Sequence, residues 1–364
     1  MEYLQELPAK MKAVVNYAPF DFRLEEVDVP SIGPGEVLIK VGGCGICAGD
    51  VKTFHGAKRI WGGDGQPPYV QPPVIPGHEF YGQVVALGDG AGEKYGLSLG
   101  DWVVSEQIIP CGACRFCKRG EYWMCEVHYI YGYQKGASDG GFAEYAKLPK
   151  NAINYKLPPG FPLKVAPYVE PLACAIHAVE RAEIQLEDVV VIAGMGALGL
   201  GMLQVAKLKN PQLLIAIDVV EKRLELAKKL GADIVMNPEK IDVVAEVKKL
   251  TDGYGCDVYI HASGHPKGVI QGLQMIRRLG RYVEFSVFNE PTTVDWSIIG
   301  DVKELDIRGA HLSPYTYPLA ISLLHRGIVK AEEIITHELP LEEFKKGLEI
   351  AENSRVSIRV VLRP

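Results

Sequence analysis

Positive charge is in short supply in this chain. Lysine and arginine number 39 against 45 aspartates and glutamates, a formal net charge of −6, which leaves nucleic acid binding without an electrostatic footing. No apolar run approaches the roughly 20 residues of a membrane-spanning helix, so no membrane partner is expected. The first residues, Met1-Glu2-Tyr3-Leu4-Gln5-Glu6, lack a basic segment followed by an apolar one. No secretion signal is read there, and a cytoplasmic location is the expectation. Internal repeats and low-complexity tracts are missing too. What remains is ordinary: 364 residues, 48% hydrophobic and 23% charged, enough chain for two domains with ample cores. In a reducing compartment the eight cysteines read as metal ligands or core residues, not as disulfides.

Residues 11–150 read as β-rich. Short alternating runs (Met11 to Val15, Arg23 to Val27, Val37 to Val41, Tyr81 to Val85, Asp101 to Val104) are separated by Gly and Pro, the pattern of a barrel-like domain. Cys44-Gly-Ile-Cys47-Ala-Gly-Asp50 follows the third run and places a thiol at a strand-to-loop exit. Some thirty residues on, Pro76-Gly77-His78-Glu79 follows a proline-rich loop. Thiolate, imidazole and carboxylate on separate loops make a ligand set suited to zinc, and three protein ligands leave a fourth position open for chemistry. Alone, each is as well explained as a buried cysteine or a structural histidine. Cys111, Cys114, Cys117 and Cys125 fall within fifteen residues of an otherwise polar segment. Such spacing forms a closed tetrahedral thiolate cage, a structural site without an open position. Glu170-Pro171-Leu172 leads into a helix start. Glu170 there is either a favourable partner of the helix dipole, a further zinc ligand, or a carboxylate near the zinc's open position; Cys174, one turn on, is an alternative ligand.

Beyond residue 188 the pattern changes. Asp188 to Ala193 is a continuous apolar run of the kind buried on both faces of a parallel sheet. Then follow Gly194-Met-Gly196-Ala197-Leu198-Gly199, a helix from Leu200 to Lys209, a second buried run Leu213 to Ile217, and Asp218 nineteen residues after the last glycine. Strand, G-x-G-x-x-G, helix, strand, acid is the dinucleotide-binding pattern: the glycines let backbone and helix N-terminus approach a pyrophosphate. Asp218 would accept hydrogen bonds from ribose hydroxyls and repel a 2′-phosphate, favouring NAD over NADP. Alternation continues with a helix Leu224–Leu230, strand Ile234–Met236, helix Val243–Leu250, strand Asp257–His261, helix Val269–Leu279 and strand Arg281–Phe285, implying a parallel sheet covered on both faces. His261, Ser263, Ser286 and Val287 fall at strand carboxyl ends, where ligands bind. The tail holds helices to His325 and from Phe344 to Ala351, then a strand Val356–Leu362.

In this order and over essentially the whole chain, the motifs resemble the zinc-dependent medium-chain dehydrogenases. Glu170-Pro171-Leu172 with Ile176-His177-Ala178 is similar to the sorbitol and threonine dehydrogenases of that family, where other members carry a cysteine at the place of Glu170. Val104 to Ile108, Val294 to Ile299 and Gly309 to Leu312 look like the bacterial erythritol/L-threitol dehydrogenases. The resemblance implies an α/β chain with a Rossmann dinucleotide-binding domain (169–305) and a GroES-like, β-rich catalytic domain (1–168, structural zinc lobe about 105–128) that is rejoined by 306–364. It implies two zinc ions per chain and NAD. Catalytic zinc would fall to Cys47 (not Cys44), His78 and Glu79 or Glu170, with Asp50 behind them; structural zinc to Cys111, Cys114, Cys117 and Cys125. NAD would meet Gly194, Gly196, Ala197, Leu198, Gly199, Asp218, Arg223, Ser263, Ser286 and Val287. The implied activity is oxidation of a secondary alcohol of a small polyol, a tetritol, to the ketose by hydride transfer. Sorbitol, xylitol, threonine or a simple alcohol are alternative substrates, and a non-catalytic NAD sensor or zinc-ribbon interaction protein is the alternative of another class. Homodimers or homotetramers, paired through strands near Tyr282 to Phe288, are implied as well. Two positions depart from the family: its relay hydroxyl is Gly49 here, and a frequent histidine is Lys52. Zinc-bound water, Glu79, Glu170 or His55 are the candidates left to carry the proton.

Overall fold

The alternation that begins at Val37 continues through the small residues Gly42, Gly43 and Gly45, so this strand runs Val37–Ile46 in the computed structural model, which describes residues 1–4, 6–63, 65–288 and 290–364. The Cys44 segment is therefore strand, and Cys47 is the residue that opens the helix Ala48–Phe54. Strand Glu79–Leu87 lies antiparallel beside Val37–Ile46 with Gly45 opposite Glu79. Glu79 thus starts a strand and does not sit on a loop. That register brings the end of one strand, at Cys47, to the beginning of the other, at His78.

The chain divides into two units, Met1–Glu170 with Tyr317–Pro364, and Pro171–Thr316. In the first, an eight-stranded sheet runs in the order 154–156, 102–105, 79–87, 37–46, 359–363, 335–340, with 2–3 also on 79–87 and 145–148 on 37–46. Strand Arg359–Arg363, the last of the chain, sits in the interior of this sheet, antiparallel to Val37–Ile46. Val14, Phe22, Ile39, Val84, Phe142, Leu148 and Leu362 are among the residues of its core; burying each large aliphatic contributes roughly 1.5–3 kcal/mol.

The second unit is a six-stranded sheet, parallel throughout, in the order 234–236, 213–217, 189–193, 256–261, 276–284, 306–309. Strand Val189–Ala193 is buried at every position, as its unbroken apolar run requires. The order reverses between 189–193 and 256–261, the crevice where such sheets take ligands. Three expectations shift. The helix expected over Val269–Leu279 is Pro266–Met275, because Ile276 turns extended and joins strand Ile276–Glu284 opposite Cys256. Glu170 stands inside the first turn of helix Val169–Ala182, not ahead of it. Strand Asp306–Gly309 pairs with Ile276–Glu284, so the return to the first unit falls after Thr316 and not after residue 305.

Candidate active site

Cys47, His78 and Glu79 converge in the first unit: one ligand atom from each lies within 4.8 Å of the others. Asp50, buried one helical turn on, accepts the Cys47 backbone N–H at 2.8 Å and so fixes the thiol's stem. Glu79 is fully buried, and Gly45 opposite it leaves the room, since a Cβ there would stand 2.3 Å from Glu79 Oε2. Glu79 Oε1 accepts from Arg359 Nη1 at 2.9 Å, and the same nitrogen donates to the Ile46 carbonyl at 2.8 Å. Sequence reading missed Arg359. It lies 280 residues from its partner, and nothing around it in the chain marks it as part of a site.

Two buried polar atoms of the cluster, His78 Nδ1 and Glu79 Oε2, have no hydrogen-bond partner among the described residues. Unsatisfied buried polar atoms cost roughly 1–3 kcal/mol each, so their presence side by side with a thiol calls for a ligand. Burial works against charge on His78, yet the Cys47 thiol that hydrogen-bonds the ring, together with Asp50 and Glu170, holds its pKa well above the ordinary imidazole value. Such a surplus of negative partners is what a cation would neutralise. Sulfur, nitrogen and carboxylate oxygen in one cluster suit zinc.

Glu170 is not one of the three converging groups. Its Oε1 accepts from Gln107 Nε2 at 2.7 Å in a buried contact, which fixes its carboxylate; Gln107 was not read from sequence. His55 is tied to Glu352 at 3.2 Å on the surface side of its helix. The space left by Gly49 is taken: a Cβ on that residue would lie 2.8 Å from the Tyr133 hydroxyl and 3.8 Å from Cys47 Sγ. Tyr133 is buried and hydrogen-bonded to the Thr53 side chain.

The four lobe cysteines also bring their sulfurs within 4.8 Å of one another. None is in a disulfide. Backbone N–H groups point at the sulfurs: Cys111 to Cys125 Sγ and Cys114 to Cys111 Sγ, both at 3.3 Å, and Cys117 to Cys114 Sγ at 3.5 Å. Donors from Cys117 and Glu126 pull the Cys114 thiol down to about 6. A thiolate cage of this kind is closed to substrate and fits a structural zinc.

In the second unit the glycine turn has the shape its sequence implies. Gly194 takes a φ of +100°, and a Cβ on it would meet the backbone of Ala262 and Ser263 at 2.8 Å. A Cβ on Gly199 would stand 1.7 Å from the Gly194 carbonyl oxygen. Gly196 opens the helix Ala197–Leu208, and no side chain covers that N-terminus from position 196 itself. Asp218, at the end of strand Leu213–Ile217, accepts from the Met195 and Val220 backbone N–H groups at 2.6 and 2.8 Å. Arg223, mostly buried, lies within electrostatic reach of Asp218. The cradle fits a dinucleotide: backbone N–H groups at a helix N-terminus for the pyrophosphate and a carboxylate for the ribose.

Comparison with known proteins decides the family. Residues 33–159 match the family model of the alcohol dehydrogenase GroES-like domain, and residues 197–326 match that of the zinc-binding dehydrogenase. The erythritol/L-threitol dehydrogenase of Mycolicibacterium smegmatis is 50% identical over 359 residues, 99% of either chain. The chain belongs to the zinc-dependent medium-chain dehydrogenases. This dehydrogenase is also 38% identical to the L-threonine 3-dehydrogenase of Pyrococcus horikoshii over 346 residues, 94% of this chain and 95% of that one. A crystal structure of a zinc-binding dehydrogenase from Sinorhizobium meliloti bound to NADP superposes with a TM-score of 0.87 at 27% identity, covering 98% of this chain and 100% of that one. The dehydrogenase is thus an enzyme acting on alcohol groups, with a Rossmann-like and a GroES-like part, and zinc and a nicotinamide dinucleotide as its cofactors.

Proposed function

We propose that this dehydrogenase oxidises a secondary alcohol of a four-carbon polyol, erythritol or a threitol, to the ketose with NAD. The observation that carries the reading is the Cys47, His78 and Glu79 convergence with its two partnerless buried atoms, in a chain half identical to an erythritol/L-threitol dehydrogenase. Cys47, His78 and Glu79 would hold the catalytic zinc, and Cys111, Cys114, Cys117 and Cys125 the structural one. When bound, zinc supplies acidification of an alcohol and the nicotinamide supplies a hydride acceptor.

The chain's own residues do the remaining work. Asp50 sets the position of Cys47 through its backbone. Arg359 holds Glu79 Oε1 and leaves Oε2 without a partner, the oxygen that would be available to the zinc. Glu170, fixed by Gln107 and close enough to His78 to act on its charge, would be the carboxylate that accepts the proton released at the site. Gly194, Gly196, Ala197, Leu198 and Gly199 receive the pyrophosphate, with Arg223 beside it. Asp218, Ser263, Ser286 and Val287 border the riboses and the nicotinamide. The Asp218 carboxylate selects NAD, because it would repel the extra phosphate of NADP. The enzyme acts in the cytoplasm as a homodimer or homotetramer. Tyr282 to Glu284 already has a strand on either side, so a second copy would pair at an edge strand of this sheet, Ile234–Met236 or Asp306–Gly309.

The test is NADH formation from erythritol, both threitols, xylitol, sorbitol, threonine and simple alcohols, with and without a strong zinc chelator. Chelator-sensitive turnover of tetritols is expected. Turnover confined to threonine or another alcohol would overturn the substrate and keep the chemistry. No turnover at all in a protein that binds zinc and NADH would favour a sensor.

A further inference from the structure

Behind Ser263 and Ser286 lie two buried or half-buried groups with no role in the proposed function, His261 and Glu284. His261 ends strand Cys256–His261 and is completely buried. Its register partner on the neighbouring parallel strand is Glu284. The Glu284 carboxylate lies 2.9 Å from His261 Nδ1, and Ser263 Oγ lies 2.7 Å from His261 Nε2. Glu284 is itself held by the Ser286 N–H at 2.8 Å and the Tyr282 hydroxyl at 3.2 Å. Gly268, in the first turn of helix Pro266–Met275, closes over the imidazole: a Cβ there would stand 2.5 Å from His261 Nε2 and 3.1 Å from Ser263 Oγ.

The protons follow from these contacts. A carboxylate only accepts, so in the neutral imidazole His261 Nδ1 carries the hydrogen and Nε2 is left with its lone pair. The Ser263 hydroxyl then donates its hydrogen bond to Nε2. The His265 N–H donates to Ser263 Oγ at 3.3 Å. The hydroxyl's hydrogen is spent inward, one lone pair is used, and the other remains. Ser263 is exposed. It stands at the carboxyl end of a strand beside the glycine turn, its backbone N 2.8 Å from where a Cβ on Gly194 would be. Ligands of parallel sheets bind at that end.

We propose that His261 and Glu284 are positioning residues that turn the Ser263 hydroxyl into a dedicated hydrogen-bond acceptor for a donor on the nicotinamide-riboside half of the dinucleotide. This rests on the dehydrogenase reading above and deepens it. Phosphate oxygens have no hydrogen to offer such a group. A ribose hydroxyl and the carboxamide NH₂ both do.

The experiment measures dissociation constants of NADH, ADP-ribose and ADP for the full-length zinc-loaded protein and for Ser263→Ala, Glu284→Gln and the double variant. Loss of one such hydrogen bond should weaken NADH by roughly five- to tenfold in Ser263→Ala and leave ADP, which lacks the riboside, unchanged. Glu284→Gln should weaken NADH in the same direction, and should add nothing in the Ser263→Ala background. A merely structural Glu284 would instead cost the same in both backgrounds and would weaken ADP as well; that additivity overturns the inference, as does wild-type NADH affinity in Ser263→Ala. Loss shared by ADP-ribose supports it with the ribose as donor, and loss confined to NADH supports it with the carboxamide. Wild-type protein that bound neither NADH nor ADP would overturn the dehydrogenase reading first and this inference with it.

Discussion

Glu106 should make the first unit less stable as the pH rises towards neutrality. The side chain is 1% exposed, and among the described residues two hydroxyls reach it: Tyr155 at 2.7 Å and Tyr122 at 3.0 Å, both on Oε1. Burial disfavours its charged form and pushes its pKa from 4.5 up to about 7, the two tyrosines drawing it back only in part. In the unfolded chain the group titrates near its ordinary value. Below about pH 4.5 both states are protonated, and Glu106 makes no pH-dependent difference. Between about 4.5 and 7 the unfolded chain gives up the proton first, so stability falls as pH rises; above 7 the folded state has lost it too and the fall levels off. A rise from 4.5 to about 7 corresponds to about 3.5 kcal/mol. Glu106→Gln keeps an acceptor for both tyrosines and removes the titration. Its denaturation midpoint should match that of the wild type near pH 4.5 and exceed it increasingly up to pH 7, measured at fixed zinc and salt. A difference between the two proteins that stayed constant from pH 4.5 to 8 would refute the reasoning.

Other expectations are more direct. Cys47→Ser should lower metal content and abolish turnover while NADH affinity by fluorescence stays near normal; lost NADH affinity would count against separate metal and dinucleotide sites. Cys125→Ser should open the thiolate cage and appear as a lower thermal midpoint. Arg359→Met leaves Glu79 as a buried charge without its partner and should destabilise by roughly 3–5 kcal/mol, read by chemical denaturation of the zinc-free protein. Asp218→Gly should raise the dissociation constant for NADH, with zinc content by metal analysis unchanged.

Legibility followed sequence distance. The dinucleotide turn could be read because strand, glycines, helix, strand and Asp218 are consecutive, and each glycine answers a local steric demand. The cysteine lobe is complete within fifteen residues for the same reason. Cys47 and His78 needed the antiparallel register of two strands to bring them together, a relation that alternation suggests and pairing completes. Arg359, Gln107 and Tyr133 were not legible at all. Each reaches the site from a distant segment whose local pattern is that of an ordinary strand or loop residue. Sequence extends the helix through Leu279 because Ile276 continues a helical spacing of apolar residues, and only the pairing of Ile276 with Cys256 shows that the backbone has already extended. His261 and Glu284 are register partners on separate strands, and the sequence, read one strand at a time, offers no sign that the two are a pair.

The placing of strand Arg359–Arg363 in the sheet interior has a consequence for synthesis. Unit Pro171–Thr316 is one uninterrupted segment, so its six strands are all translated before the other unit is complete, and domains generally fold as units in that order. The other unit is in two pieces. Its first 170 residues leave the ribosome with a gap beside Val37–Ile46 and with Glu79 lacking its arginine, and both wait for the segment Arg359–Arg363. A nascent chain stalled shortly before Arg359 would carry a finished nucleotide-binding half and an unclosed metal-binding half, with an open sheet edge where the final strand belongs.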